Sequence, residues 1–308
     1  MITSQRQTCF FQKDWTGTGE RGIRDRMLIP AIFFGAVSPG LFISSLFFDY
    51  IPGLWIALVM NFIGYGLTHL LYLGRMGRFW RGLSNVRTSW ISRGLLFNII
   101  FSVSALLYAC SVTFESTLLS GGRIVLLLKI ASAASAVLFA AYPGFMLSFV
   151  KAIPFWRSTL EPVLFFIQAI MGGIAIQLLS LTITGVNHSM MSILLRMNFV
   201  LVLFVLILIL TALIMKALHG EAERVSVRSL ISGALSPHFL WGTIVAGLIV
   251  PLLFLAVIIL SGLDGSVPEL LLYPVMLLQL SGIYLGKYSI IRAGAYAPVT
   301  GFGVGPRG

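Results

Sequence analysis

The stretch MSILLRMNFVLVLFVLILILTALIM, residues 191–215, decides what kind of protein this is. It carries a single charged side chain, Arg196, in 25 residues. As a helix rising 1.5 Å per residue it would extend roughly 37 Å, enough to cross a hydrocarbon layer of about 30 Å. A run so long and so evenly apolar does not have the one-sided stripe of a helix that faces water. Seven further apolar runs, punctuated by Gly, Pro and charge, lie on either side of it: Met27 to Phe48, Leu54 to Leu73, Gly94 to Phe114, Ile124 to Val150, Thr159 to Ile183, Phe239 to Gly262 and Leu270 to Gly286. The expected fold is an all-α integral membrane protein, a bundle of about eight transmembrane helices with both termini on the same side. The predicted organisation is a polar N-terminal arm (1–26), one eight-helix transmembrane domain (27–286) and a polar C-terminal tail (287–308).

Composition agrees with this reading. Of the 308 residues 58% are hydrophobic and 10% charged, and the mean hydropathy is +0.97, whereas soluble domains run near 25% charged. Eight spans leave no length for a soluble catalytic domain, so no catalytic residues are expected here and chemistry outside the membrane must belong to partners. The two cysteines, Cys9 and Cys110, lie far apart and match no CxxC spacing, which excludes an iron–sulfur or zinc cage built by this chain. The polar residues up to Arg26 carry no Ala-x-Ala-type cleavage site, so no cleaved signal peptide is expected.

Charge sets the orientation. Of the 21 Lys and Arg, eighteen fall on the side of the termini, two (Arg123 and Arg196) on the other, and Lys129 within the fourth run. By the positive-inside rule both termini are expected in the cytoplasm, in a multi-pass protein of the inner (cytoplasmic) membrane. The net charge of +11 then needs no nucleic-acid partner. Lys129 and Arg196 are read as snorkelling outward. The small-residue run Ala131 to Ala136 and Met171-Gly172-Gly173 suit close helix packing.

The second run carries Asn61, Tyr65, Thr68, His69 and Tyr72 at spacings of three and four, which stack on one helical face. That face leads to Arg75, Arg78 and Arg81. Two readings are open: an interhelical hydrogen-bond seam with snorkelling arginines, or a pocket for a lipophilic ligand with a polar head. A quinone suits the second, because its carbonyl oxygens need donors and its reduction takes two protons with two electrons. Tyr72, His69 and Arg78 would supply the hydrogen bonds, Trp80 with Phe79 would cover the ring, and His69 would exchange protons. Glu161, at the start of the fifth run, is expected either to relay protons with His69 or to pair with an arginine between runs 2 and 3. No haem is expected, since His188 and His219 are read in loops and His238 at a helix start, leaving His69 as the one histidine within a span. A secondary transporter or proton channel would also use intramembrane charges, but no inverted repeat is evident, and the possible break at Pro39-Gly40 has no counterpart.

The segments Leu71-Tyr72-Leu73-Gly74-Arg75-Met76-Gly77-Arg78-Phe79-Trp80-Arg81 and Ser89-Trp90-Ile91-Ser92-Arg93 resemble the helix 2 to 3 signature of the NrfD/DmsC-type anchors, the membrane subunits of polysulfide reductase, DMSO reductase and sulfite dehydrogenase. Ala152-Ile153-Pro154-Phe155-Trp156 leading into Pro162, and Gly286-Lys287-Tyr288 with Ile291 to Pro298, look like the same family. The resemblance implies a haem-free anchor that docks a four-cluster ferredoxin-like iron–sulfur subunit, itself bound to a molybdopterin catalytic subunit. Electrons would pass between the nearest [4Fe–4S] cluster and menaquinone or ubiquinone, with Arg75, Arg81, Arg87 and Arg93 facing the docked partner. Arg78 matches the arginine of the family's His-Leu-Gly-x-Pro-x-Arg pattern. This sequence departs from the family in having Tyr72 at the histidine, Met76 at the proline and Gly94 at the glutamate that often follows Ser-Trp-Leu-Ser-Arg. A docking-only anchor with a degenerate quinone site is therefore the alternative.

Overall fold

The structure, a computed structural model, describes residues 26–73, 76–114, 121–184, 188–262 and 269–296. Among them there is helix and no strand. Eight helices are long and apolar enough to cross a membrane: α1 (Leu28–Phe47), α2 (Ile51–Leu73), α3 (Trp90–Phe114), α4 (Gly122–Ser148), α5 (Leu160–Thr184), α6 (His188–His219), α8 (Pro237–Leu260) and α9 (Glu269–Ala293). Eight crossings bring the start of α1 and the end of α9 to one face, which also receives the arginine-rich α2–α3 connection and is called the basic face below.

The apolar runs gave the number of spans; their ends differ. The sixth helix continues past Met215 to His219, and the last continues past Gly286 to Ala293, so Lys216 and Lys287 lie inside helices. Between α6 and α8, where a loop was expected, runs a short surface helix, α7 (Glu221–Ile231). Its code is local: Glu221 and Glu223 in the first turn and Arg228 in the last complement the helix dipole. Two stretches, Met60–Leu67 in α2 and Pro237–Ile249 in α8, are wound as wider π-helix.

The helices form two groups. One apolar core joins α1, α2, α3 and α4 around Phe42, Tyr65, Phe101 and Phe139. The other joins α5, α6, α8 and α9 around Ile174, Leu195, Val202, Leu255 and Met276. The groups meet chiefly where α1 packs along α5. Lipid tails are as apolar as leucine, so burying leucine against another helix gains little in a bilayer, and close backbone approach has to do the work instead. A Cβ at Gly40 would overlap the backbone of Ala169, and one at Gly173 the backbone of Gly40. Pro39-Gly40 is thus a crossing point within a continuous helix, and Met171-Gly172-Gly173 packs as its composition predicts. Gly247 and Gly282 make the equivalent contact between α8 and α9, and Gly144 meets Pro162 between α4 and α5.

Outside these contacts, large apolar side chains such as Leu127, Val200, Leu253 and Val257 are exposed around the bundle, as a lipid-facing surface requires. In the Ala131 to Ala136 run, Ser132, Ser135 and Ala136 are buried, the serine hydroxyls donating back to carbonyls of their own helix. On the face opposite the basic one, Lys129 meets Asp49 at 3.2 Å, consistent with its outward reading.

Gly173→Leu should therefore remove most folded protein from detergent extracts, because the obstructing atoms are backbone and cannot turn aside. Gly122→Ala, where nothing lies within 4 Å, should leave the size-exclusion profile and melting temperature unchanged.

Candidate functional site

The polar face of α2 is divided by depth. Asn61 and Tyr65 are buried at 2% and 3% exposure, while His69 and Tyr72, nearer the basic face, are half-buried. Asn61 donates to Ser102 of α3 at 2.8 Å, and Ser102 donates to Asn98 at 3.2 Å. The Tyr65 ring stands edge-on to Phe139 of α4 at 5.0 Å, and Phe139 in turn stacks on Tyr142 at 5.6 Å. A Cβ at Gly35 would come within 2.9 Å of the Tyr65 ring, so α1 supplies the room that this tyrosine needs. The deep part of the face is thus the interhelical seam, one of the two readings the spacing left open.

The outer part is a short aromatic column. His69 stacks on Tyr65, with ring centroids 5.1 Å apart and an interplanar angle of 19°, and Tyr72 follows at 6.4 Å. The wide turns of Met60–Leu67 lie just below, where Thr68 caps loosened carbonyls by donating to Gly64 and Tyr65 at 2.5 and 3.1 Å. Arg78, Phe79, Trp80 and Arg81 follow on an exposed 3-10 segment, Met76–Leu83. Trp80 is 58% exposed, and Arg81 lies over its ring at 5.5 Å. The structure thus brings His69 and Tyr72 together with Tyr65 and Tyr142, and sets Arg78 and Trp80 on the surface of the basic face. Arg75 lies outside the described residues.

The remaining arginines of this connection divide into two kinds. Arg87 is exposed, whereas Arg93 is partly committed within the chain, donating to the carbonyls of Val86 at 3.0 Å and Arg87 at 2.6 Å with its guanidinium 4.7 Å over Trp90.

Tyr142 is the residue that sequence reasoning missed. Its ring fills the space in front of Gly94, so that a Cβ there would overlap it. The position where resembling proteins often carry glutamate is therefore closed to a larger side chain, and the tyrosine that closes it reaches the α2 column through the Phe139 ring. A tyrosine in an apolar run gave no periodic signal, and its role comes from a neighbour on another helix.

Glu161 corrects an expectation. It is 2% exposed and forms a close ion pair with Lys216 of α6, not with an arginine between α2 and α3. Lys216 also lies 4.3 Å over the Phe155 ring. Lys287 of α9, 1% exposed, sits 4.0 Å over Phe165 within electrostatic reach of Glu161, and its Nζ has no hydrogen-bond partner among the described residues. Glu161 is thereby tied to α6 and α9, whereas the described ring partners of His69 are Tyr65 and Tyr72. Both lysines stand at the ends of apolar runs, where lysine normally snorkels. Only the longer helices put them inside. A narrow cavity of about 70 Å³ opens beside the pair, lined by Arg157, Lys216, His219 and Glu223 among others.

The two other family-like segments meet in this half. Trp156 donates its indole N–H to the carbonyl of Ile290 at 2.8 Å, and Gly294 lies against Ile153 and Trp156. His238, at the start of α8, is exposed and lies 5.2 Å from the Tyr288 ring. Among the described residues no group of three or more His, Cys, Asp or Glu could hold a metal.

No curated protein matches the chain. Residues 26–298 match the family described as Polysulphide reductase, NrfD, a stretch that contains all eight spans and every segment quoted above. With nearly its whole length covered, the chain belongs to the NrfD polysulphide reductase family, a family of membrane anchor subunits of redox complexes.

Proposed function

We propose that this chain exchanges electrons between a [4Fe–4S] cluster of a docked iron–sulfur subunit and membrane quinone, at the basic face beside the α2–α3 connection. The observation that carries this reading is the column Tyr65–His69–Tyr72, which rises from a buried tyrosine to a half-open end and is followed by exposed Arg78 and Trp80. His69 and Tyr72 offer donors to one quinone carbonyl at the edge of the membrane, and Arg78 offers a charged donor to the other. The quinone, when bound, supplies the two-electron chemistry. His69 takes or gives a proton at its imidazole, and the apolar wall of Tyr65 and Phe139 keeps water from the deep side.

The partners in this reading are a four-cluster ferredoxin-like subunit and a molybdopterin catalytic subunit, set against the exposed arginines Arg78, Arg81 and Arg87. With Glu161 held by Lys216, proton transfer to quinone falls to His69, and Glu161 serves to hold α5 to α6. If the basic face is cytoplasmic, the partner's substrate is cytoplasmic too.

A second reading, a docking-only anchor, is favoured by Tyr142 over Gly94, which removes the place of the family's glutamate. Purification of the native complex separates the two. Iron and molybdenum with quinol-dependent cluster reduction belong to the first, and metals without any quinol response belong to the second.

Within the purified complex, Arg78→Ala should lower quinol-linked turnover at least tenfold and leave dye-linked turnover of the catalytic subunit intact. Unchanged quinol turnover would remove Arg78 from the site. His69→Phe keeps a ring against Tyr65 but loses both nitrogens, so the folded yield should hold while quinol turnover falls; equal rates would exclude His69 as the proton carrier. Lys216→Met should destabilise the chain by about 3–5 kcal/mol, since it strands a buried carboxylate, and adding Glu161→Gln should restore most of that loss. A double variant no more stable than the single one would refute the structural role of the pair.

A further inference from the structure

Where α4 ends and α5 begins, at the basic face, an open cavity of about 590 Å³ lies between the two helices. Its walls are Phe145, Phe149, Pro162 and Val163, and exposed Lys151 and Arg157 also line it. Phe149 and Val163 are 63% and 44% exposed, so the apolar wall continues onto the lipid-facing surface of the bundle. Trp90 extends it, stacked on Phe145 at 4.7 Å with an interplanar angle of 6°.

The segment that carries the two cations is held in place. Ser148 donates to the carbonyl of Ser158 at 2.7 Å, Phe155 and Trp156 are buried, and Trp156 is fastened to α9. Neither Lys151 nor Arg157 meets a carboxylate among the described residues, unlike Lys129, which meets Asp49, and Lys216, which meets Glu161. The cavity therefore offers two exposed cations without a carboxylate partner, while the first amides of α5 are already taken, Leu160 N–H donating to Ser158 Oγ at 3.2 Å and Glu161 N–H to the Ser158 carbonyl at 3.4 Å. Directly below lies an apolar groove open to the bilayer. Water satisfies the cations but not the groove, and an apolar ligand the reverse.

We propose that this cavity binds an anionic phospholipid, its phosphate held by Lys151 and Arg157 and one acyl chain laid along Phe145, Phe149 and Val163. A glycerol-type anionic headgroup suits the pair of cations. A choline headgroup does not, because it would bring its ammonium group to them. The lipid spans α4 of the first helix group and α5 of the second, and so braces the joint between them near Gly144 and Pro162. The proposal does not rest on the electron-transfer reading, since none of these residues belongs to the α2 column.

The test uses the purified full-length chain in a mild, uncharged detergent, with native mass spectrometry and thermal unfolding as readouts. Phosphatidylglycerol should remain bound and raise the unfolding temperature, as a ligand of the folded state must, and phosphatidylcholine should do neither. Lys151→Ala/Arg157→Ala should weaken phosphatidylglycerol binding at least tenfold while keeping the size-exclusion profile of the parent. Arg87→Ala/Arg228→Ala, which removes two other exposed cations of the same face, should bind as the parent does. Equal retention of phosphatidylcholine, or undiminished binding by the Lys151/Arg157 variant, would overturn the proposal. So would a full stabilisation by inorganic phosphate alone, which would make the site one for an ion. Displacement of phosphatidylglycerol by a long-chain quinone would instead assign the groove to quinone.

Discussion

The backbones of α1 and α5 touch at Gly40 and Gly173, and the arrangement of the other helices depends on that contact. In water, two helices with leucine faces associate to escape the solvent. In a bilayer that gain is absent, and the remaining attractions fall off steeply with distance. Glycine at both positions removes the atoms that would hold the axes apart. With α1 against α5, the helices that follow each of them are drawn to either side, which gives the two groups their separate apolar cores. The same device recurs at Gly247 and Gly282 within the second group. A loss of one methyl-sized space at the α1–α5 crossing would therefore act on both groups together.

The bilayer also explains how polarity is distributed. In the core of the first group the described polar contacts are uncharged, Asn61 donating across to Ser102 while Ser104, Ser132 and Ser135 donate back to carbonyls of their own helices. The second group holds charge. An ion pair such as Glu161 with Lys216 regains in attraction only part of the desolvation of its members, so it is weak support for stability but costly to break. The aromatic rings of Phe155 and Phe165 lie under the two ammonium groups, where the negative face of each ring offsets a further part. Lys287 is the costly member, an ammonium in a core position with a ring and a distant carboxylate for company.

Much of this architecture was legible in the sequence, because the bilayer imposes a length and a composition on each span. The number of helices, the outward Lys129 and the packing role of Gly172-Gly173 follow from run length and composition, and the grouping of Asn61, Tyr65 and His69 from periodicity. What the sequence hid depends on neighbours far along the chain. Lys216 and Lys287 lie where the hydropathy falls, and the helices continue beyond that fall because Glu161, 55 residues from Lys216, accepts the first of them. Tyr142 is invisible as a functional neighbour until α3 places Gly94 in front of its ring. The π-helical stretch of α2 has no compositional mark in Met60–Leu67 beyond its two glycines, Gly64 and Gly66.

These constraints separate two tasks. In the proposed reading the α2 column, built from tyrosines and one histidine, offers a neutral ring hydrogen-bond donors rather than charge. Tyr142, stacked on Phe139, fills the space in front of Gly94 and so borders the column from α4. The buried charges Glu161, Lys216 and Lys287 stand in the other helix group, where the Glu161–Lys216 pair fastens α5 to α6. A chain that had to do both jobs in one four-helix group would set Glu161 against the donors of the column. The doubling of the bundle around the α1–α5 contact resolves that conflict by distance.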